Sequence, residues 1–198
     1  MEIHWQVSGA DTPNFQKIIM NYTIKDHKHR FSAWAASRAA SIKGCRFSVE
    51  IGKKIIEACG LHEFIDNPSL LPEPQNIDSK HREWRKHVIS AGKKYGIEIT
   101  HGVAAKLINM YFKSALVCGG NHEDERVKAL HPPIDSLILD SLIQNNIGGY
   151  KKEWRKFSRI RWSKFDCQEY EDLIVKLRSC FGINNGFWQV ESHWKGYR

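Results

Sequence analysis

Residues 78–117, DSKHREWRKHVISAGKKYG-IEIT-HGVAAKLINMYFKSALV, decide how the chain is read. The first part is a basic amphipathic segment that stops near Gly96, and the last part places Val103, Leu107, Met110, Tyr111 and Ser114 on one helical face. Only IEITHG lies between them, so the unit reads as helix, short hairpin, helix.

On the N-terminal side, KHRFSAWAASRAASI (28–42) is rich in alanine and spaces Phe31, Trp34, Ala35, Arg38 and Ala39 helically. Its small residues predict close packing by other helices. Ser48 is an N-cap for VEIGKKIIEACG, which ends at Gly60. NPSLLPEPQ, residues 67–75, holds three of the six prolines and is expected to connect two lobes. Residues 1–27 form an arm in which Ile3, Trp5 and Val7 precede Asp11-Thr12-Pro13, a helix entrance for FQKIIMNY.

On the C-terminal side, CGGNHEDERVKAL reads as a charged, glycine-rich loop leading to His131-Pro132-Pro133. IDSLILDSLIQNN is helical and is punctuated by Gly148 and Gly149. YKKEWRKFSRIRW is basic with interleaved aromatics, Ser163 opens another helix through about Cys180, and FWQVESHWKGYR closes the chain. With no internal repeat and scarcely any strand-like alternation, the expected class is all-α. The expected architecture is a two-lobe bundle with a cleft, one lobe from 1–70 plus the C-terminal helices and the other from 78–150.

The 198 residues carry 30 Lys and Arg against 22 Asp and Glu, a formal charge of +8 that favours a polyanionic partner. HREWRKH and KKEWRKFSRIRW are the segments expected to track a phosphate backbone, the alternative being a solvated face with Trp84, Trp154 and Trp162 turned inward. Five scattered cysteines without a C-x-x-C pair read as free thiols, and the N-terminus lacks a basic region followed by an apolar one. The expected setting is cytoplasmic and associated with the nucleoid, with no membrane span.

Two short segments carry the chemistry, HGVAAKLIN (101–109) and HPPID (131–135). Alone, Lys106 reads as a solvated surface lysine and Asp135 as the N-cap of IDSLILDSL. Together and in this order they resemble the helix-hairpin-helix DNA glycosylase superfamily, in particular the bifunctional 8-oxoguanine glycosylases of small archaeal type. In that resemblance Gly102 and Val103 match the hairpin, Lys106 the catalytic lysine, and Pro133-Ile134-Asp135 the segment ending in the catalytic aspartate. His101 stands where the family has proline and Ala104 where it has a second glycine.

The resemblance implies a lysine amine that attacks C1′ of a flipped nucleotide, which requires a desolvated site or a cationic neighbour to free its lone pair. Asp135 would stabilise the positive charge developing on the sugar. Thr100, His101, Gly102 and Val103 would point backbone amides at a phosphate, and Phe31, Trp34, Trp188 and Trp194 are candidates for the base pocket. The implied partner is duplex DNA with a modified base, met by a monomer without cofactor. Cys118-x3-His122 and the pair His27 and His29 lack a second ligand pair for zinc, and Cys167 with Cys180 is too few for an iron-sulfur cluster. The competing expectations are a non-catalytic helical DNA- or RNA-binding module and a partner-binding, toxin-like helical protein.

Overall fold

Thr23 and Asp26 open the first described helix reciprocally, each side chain accepting a hydrogen bond from the other's backbone N–H. The computed structural model describes residues 22–182 and 184–196; the expected helix after Pro13 and the apolar start at Ile3, Trp5 and Val7 lie outside the described residues. The helices are α1 (Ile24–Ala40), α2 (Val49–Ala58), α3 (Ile77–Lys93), α4 (His101–Phe112), α5 (Glu125–Lys128), α6 (Ser136–Gln144), α7 (Lys151–Ile160) and α8 (Cys167–Phe181). Short 3₁₀ turns join several of them. No strand forms among the described residues, where Ile42 and Cys45 make one isolated bridge, and the class is all-α. No described helix is long and apolar enough to cross a membrane.

The face that α1 buries is His29, Ser32, Ala33, Ala36, Ser37 and Ala40, and its small side chains let neighbours approach. Ser37 meets α2 at Gly52, where an added Cβ would lie 2.8 Å from the Ser37 Cβ. The same turn geometry sends Phe31 and Trp34 to the opposite face, where both are exposed.

Helix α4 is the centre of the molecule. A single apolar face was the expectation, but Gly102 to Asn109 are all buried, because α1, α3, α8 and the turn Trp162–Lys164 enclose the helix from several sides. Nor does the helix give way to a loop at Cys118. It continues in wider, π-type winding from Lys113 to Asn121, and Gly120 ends it in the left-handed region with φ 97°.

Two buried clusters result. One contains Ala33, Ile56, Trp84, Leu107, Phe112 and Leu130, and the other Ala105, Ile134, Leu142, Trp154, Phe165 and Leu177, with Trp162 packed against both. The proline-rich segment 67–75 does not separate them. Leu61 and Ile65 before it share a cluster with Ile77 and Trp84 after it, so the expected lobe boundary near residue 70 is replaced by a change of core after Leu130.

A buried polar group ties α3, α4 and α8 to the segment 131–133. Asn109 Nδ2 donates to the Pro132 carbonyl at 2.9 Å and lies 3.0 Å from the Tyr170 hydroxyl, while Asn109 Oδ1 is 2.7 Å from His81 Nε2. His131 bridges the Tyr170 hydroxyl, at 3.0 Å, and Asp78, at 2.8 Å.

Burial pushes the His131 pKa down to about 4, against the opposing pull of Asp78, and holds His81 well below the ordinary histidine range. Burial acts to raise Asp78, but His131 and Arg178 overcome it and hold the carboxyl at about 2. Below about pH 6.5 the unfolded chain takes up protons that the folded histidines refuse, so stability falls as the pH drops from 6.5 towards 4. At 1.36 kcal/mol per pH unit, His131 alone accounts for about 3 kcal/mol. Denaturant midpoints at pH 7, 5.5 and 4.5 check this. A midpoint that stays level across that window contradicts the neutral burial of both histidines.

Candidate active site

Lys106 lies in the second turn of α4 and is 7% exposed, a burial that an ammonium tolerates only beside a partner. That partner is Asp135. Its Oδ2 accepts from Lys106 Nζ at 3.1 Å and from Trp194 Nε1 at 3.0 Å, while its Oδ1 accepts the Ile138 amide at 3.0 Å and so begins α6. Both sequence readings of Asp135, cap and partner of the lysine, are therefore present in one side chain. Asn109, one turn beyond Lys106, fixes the Pro132 carbonyl and with it the approach of the chain to Asp135.

Around this pair lies a cavity of about 330 Å³. Met110, Lys113, Trp162, Glu191 and Trp194 supply much of its wall, Ala39 contributes from α1, and Pro133 and Leu137 contribute from the segment around the start of α6. Lys106 Nζ stands 5.6 Å from the centre of the Trp162 ring, and Lys113 Nζ stands 5.7 Å from that of Trp194. Lys113 and Glu191 form a second ion pair on the wall.

Burial pulls the Lys106 pKa below the ordinary lysine value, although the charge and hydrogen bond of Asp135 oppose the shift. Burial pushes the Glu191 carboxyl upward, and Lys113 and Lys106 only partly offset it. The cavity thus holds an amine made easier to deprotonate and a carboxyl made harder to ionise. Among the described residues, no three of His, Cys, Asp and Glu come together in a way that could hold a metal ion.

The hairpin differs from expectation. The Gly102 amide donates to the Phe165 carbonyl at 3.1 Å, the Val103 amide to Thr100 Oγ1 at 3.2 Å, and the Ala104 amide to the Thr100 carbonyl at 2.9 Å. The Thr100 hydroxyl itself donates to the Ser163 carbonyl at 2.8 Å. Residues 162–165 therefore cover the start of α4, and the amides of Gly102 and Val103 are engaged within the protein where a phosphate contact was expected. His101 is half-buried, and desolvation lowers its pKa.

Of the four candidate base-pocket aromatics, Trp194 lines the cavity. Trp188 folds back towards Gly186 and meets the His122 ring edge-on at 6.2 Å, and Phe31 with Trp34 lie outside on α1. HREWRKH contributes less free charge than expected, because Arg82 and Arg85 both bind Glu171 and His81 is buried. In KKEWRKFSRIRW, Trp154 and Phe157 face the core, leaving Lys152, Arg155, Lys156 and Arg159 exposed.

Sequence reasoning did not place Lys113, Trp162 or Glu191 in the site, although Trp162 was one of the tryptophans read as turned inward. Glu191 had one usable signal, its spacing of three from Trp194: in 3₁₀ winding, as in Phe187–His193, residues three apart eclipse and share a face. Lys113 had one as well: it stands seven residues from Lys106 with Met110 between them, the i, i+4, i+7 spacing of one helical face. No protein-family model, curated protein or solved structure matches this chain.

Proposed function

We propose that the protein is a DNA base-excision glycosylase with AP lyase activity, with Lys106 as nucleophile and an oxidised purine such as 8-oxoguanine as the base removed. The observation that carries this reading is the buried Lys106–Asp135 pair, 3.1 Å apart and 29 residues apart in sequence, inside an aromatic-walled cavity. In this reading α3, the turn and α4 are the helix-hairpin-helix unit, the two cores are the lobes, and the cavity is the cleft into which a flipped nucleotide turns. The volume lies at the small end of small-molecule sites, and Trp162 and Trp194 offer faces for a base. The charge of +8 suits a DNA partner and a place at the nucleoid.

The chemistry follows from the two shifted groups. Lys106 gives up a proton, its lone pair forms a bond to C1′, and the C1′–N bond breaks with its electron pair leaving on the base, which takes up a proton. Asp135 stands where it stabilises positive charge on the sugar as that bond lengthens. Opening of the sugar ring gives a Schiff base between Nζ and C1′, and loss of a proton from C2′ then expels the 3′ phosphate by β-elimination. Glu191, whose carboxyl burial makes harder to ionise, is the proposed donor of the proton that the departing base takes up.

The test is a panel of duplexes, each with one modified base, incubated with and without borohydride. Strand cleavage with a covalent adduct on one lesion supports the reading and names the substrate. Tight binding with no cleavage on any duplex favours a non-catalytic DNA- or RNA-binding module, a reading consistent with the engaged hairpin amides.

On the substrate so found, Glu191→Gln is expected to slow base release about 100-fold. It should also erase the alkaline fall of the pH–rate profile, where Glu191 would lose its proton. An unchanged rate and profile would remove Glu191 from the reaction.

A further inference from the structure

Helix α1 presents a second feature, outside the cavity. His27, Arg30, Phe31, Trp34 and Arg38 recur at three- and four-residue spacing and form one stripe along its outer face. Phe31 is 58% and Trp34 51% exposed, with their rings 5.9 Å apart, and they line an open groove with Tyr22, His27 and Arg30. Large aromatics left in solvent beside one another, with cations between them, do not serve the core.

At the C-terminal end of the stripe lies a polar pocket of about 260 Å³ bounded by Ser37, Arg38, Ser41, Arg46 and Ser48. Arg82, Arg85, Arg126 and Arg178 each bind a carboxylate, whereas Arg38 and Arg46 have no such partner among the described residues. The nearest acid along the stripe is Asp26, which caps the helix beside Arg30. Trp34 and Arg38 are four residues apart, about 6 Å along the axis. A stacked base and the phosphate next to it on the same strand fall within that reach.

We propose that this stripe is a nucleic-acid strand-binding surface. The pocket between Arg38 and Arg46 seats a backbone phosphate, and the Phe31–Trp34 pair stacks on an unpaired base beside it. Stacking platforms interleaved with unpaired cations are what single-stranded nucleic acid selects, because every base has a π-face and every linkage a charge. The proposal rests on the glycosylase reading and supplies what the hairpin does not, a hold on the strand. Ala39, next to Arg38 on the same helix, already lines the Lys106 cavity, so a strand held here is led to its rim.

The experiment measures anisotropy of a labelled single strand, and of a duplex carrying a tetrahydrofuran abasic analogue, across a salt series. It compares the wild type with Phe31→Ala/Trp34→Ala and with Arg38→Gln/Arg46→Gln; the four side chains are exposed, and melting curves verify the fold of each variant. The aromatic pair is expected to lose roughly 10- to 100-fold in affinity for the single strand. The arginine pair is expected to lower the salt slope by about one to two.

Wild-type affinity and slope in both variants, or a wild type that binds neither DNA at low salt, would overturn the stripe. Borohydride trapping at saturating duplex reads Lys106 separately. Normal trapping with indifferent stripe variants sinks this proposal alone, and binding through the stripe with no trapping on any lesion sinks the lyase reading alone.

Discussion

Lys106→Gln is expected to leave the fold standing and to reduce covalent trapping and strand cleavage to background. Glutamine fills nearly the same space without an amine, so no bond to C1′ can form. The carboxylate left behind is not stranded, because the Ile138 amide and Trp194 Nε1 still donate to Asp135. Asp135→Asn provides the contrasting result. It preserves the helix cap but removes the main charge that raises the Lys106 pKa, leaving Glu191 as the charge that opposes desolvation.

The pH midpoint for trapping by Asp135→Asn should therefore move to the acid side, while the maximum rate falls about 100- to 1000-fold because the sugar cation loses its counter-charge. Trapping that survives in Lys106→Gln, or an alkaline shift in Asp135→Asn, would contradict the assigned roles. Single-turnover rates from pH 5 to 10 decide both.

Gly102→Ala is expected to cost about 3 kcal/mol, with a fall of roughly 6–12 °C in melting temperature for a chain of this size. An added Cβ would run into the Trp162 carbonyl oxygen and stand 3.0 Å from its carbon and 3.3 Å from the Phe165 Cβ. Backbone must move to admit it. The displaced segment carries Trp162, so the cavity wall shifts with it and base release should slow in the same variant. A melting temperature unchanged from wild type would show that the turn 162–165 does not hold the start of α4 as closely as the Gly102–Phe165 hydrogen bond indicates.

Local signals in the sequence were legible where one short-range rule governs. Ser48 as a cap, Gly60 and Gly96 as left-handed stops, and the helical periodicity of 78–93 depend on neighbours along the chain and appear as read. Lys106 and Asp135 were also picked out together, and the fold brings them within hydrogen-bond distance. What was not legible depends on partners far away in sequence. Periodicity in 28–42 could not say which face of α1 is inward, because Ala and Ser at 32, 33, 36 and 37 are buried for their small size rather than their hydrophobicity. The hairpin pattern at 100–103 is unchanged whether its amides face a phosphate or the Phe165 carbonyl 63 residues from Gly102.

The division of labour within the Asp135 carboxylate has an evolutionary consequence. One oxygen starts a helix and the other faces the amine, so folding and the proposed chemistry press on the same codon. Asparagine, serine and threonine also begin helices well, but none carries a charge. In the proposed mechanism a working copy needs the charge at position 135, whereas any of those three residues would keep the cap and leave the buried Lys106 without its carboxylate. A residue other than aspartate there would thus mark a copy without the proposed chemistry, while aspartate, itself a good cap, suits either.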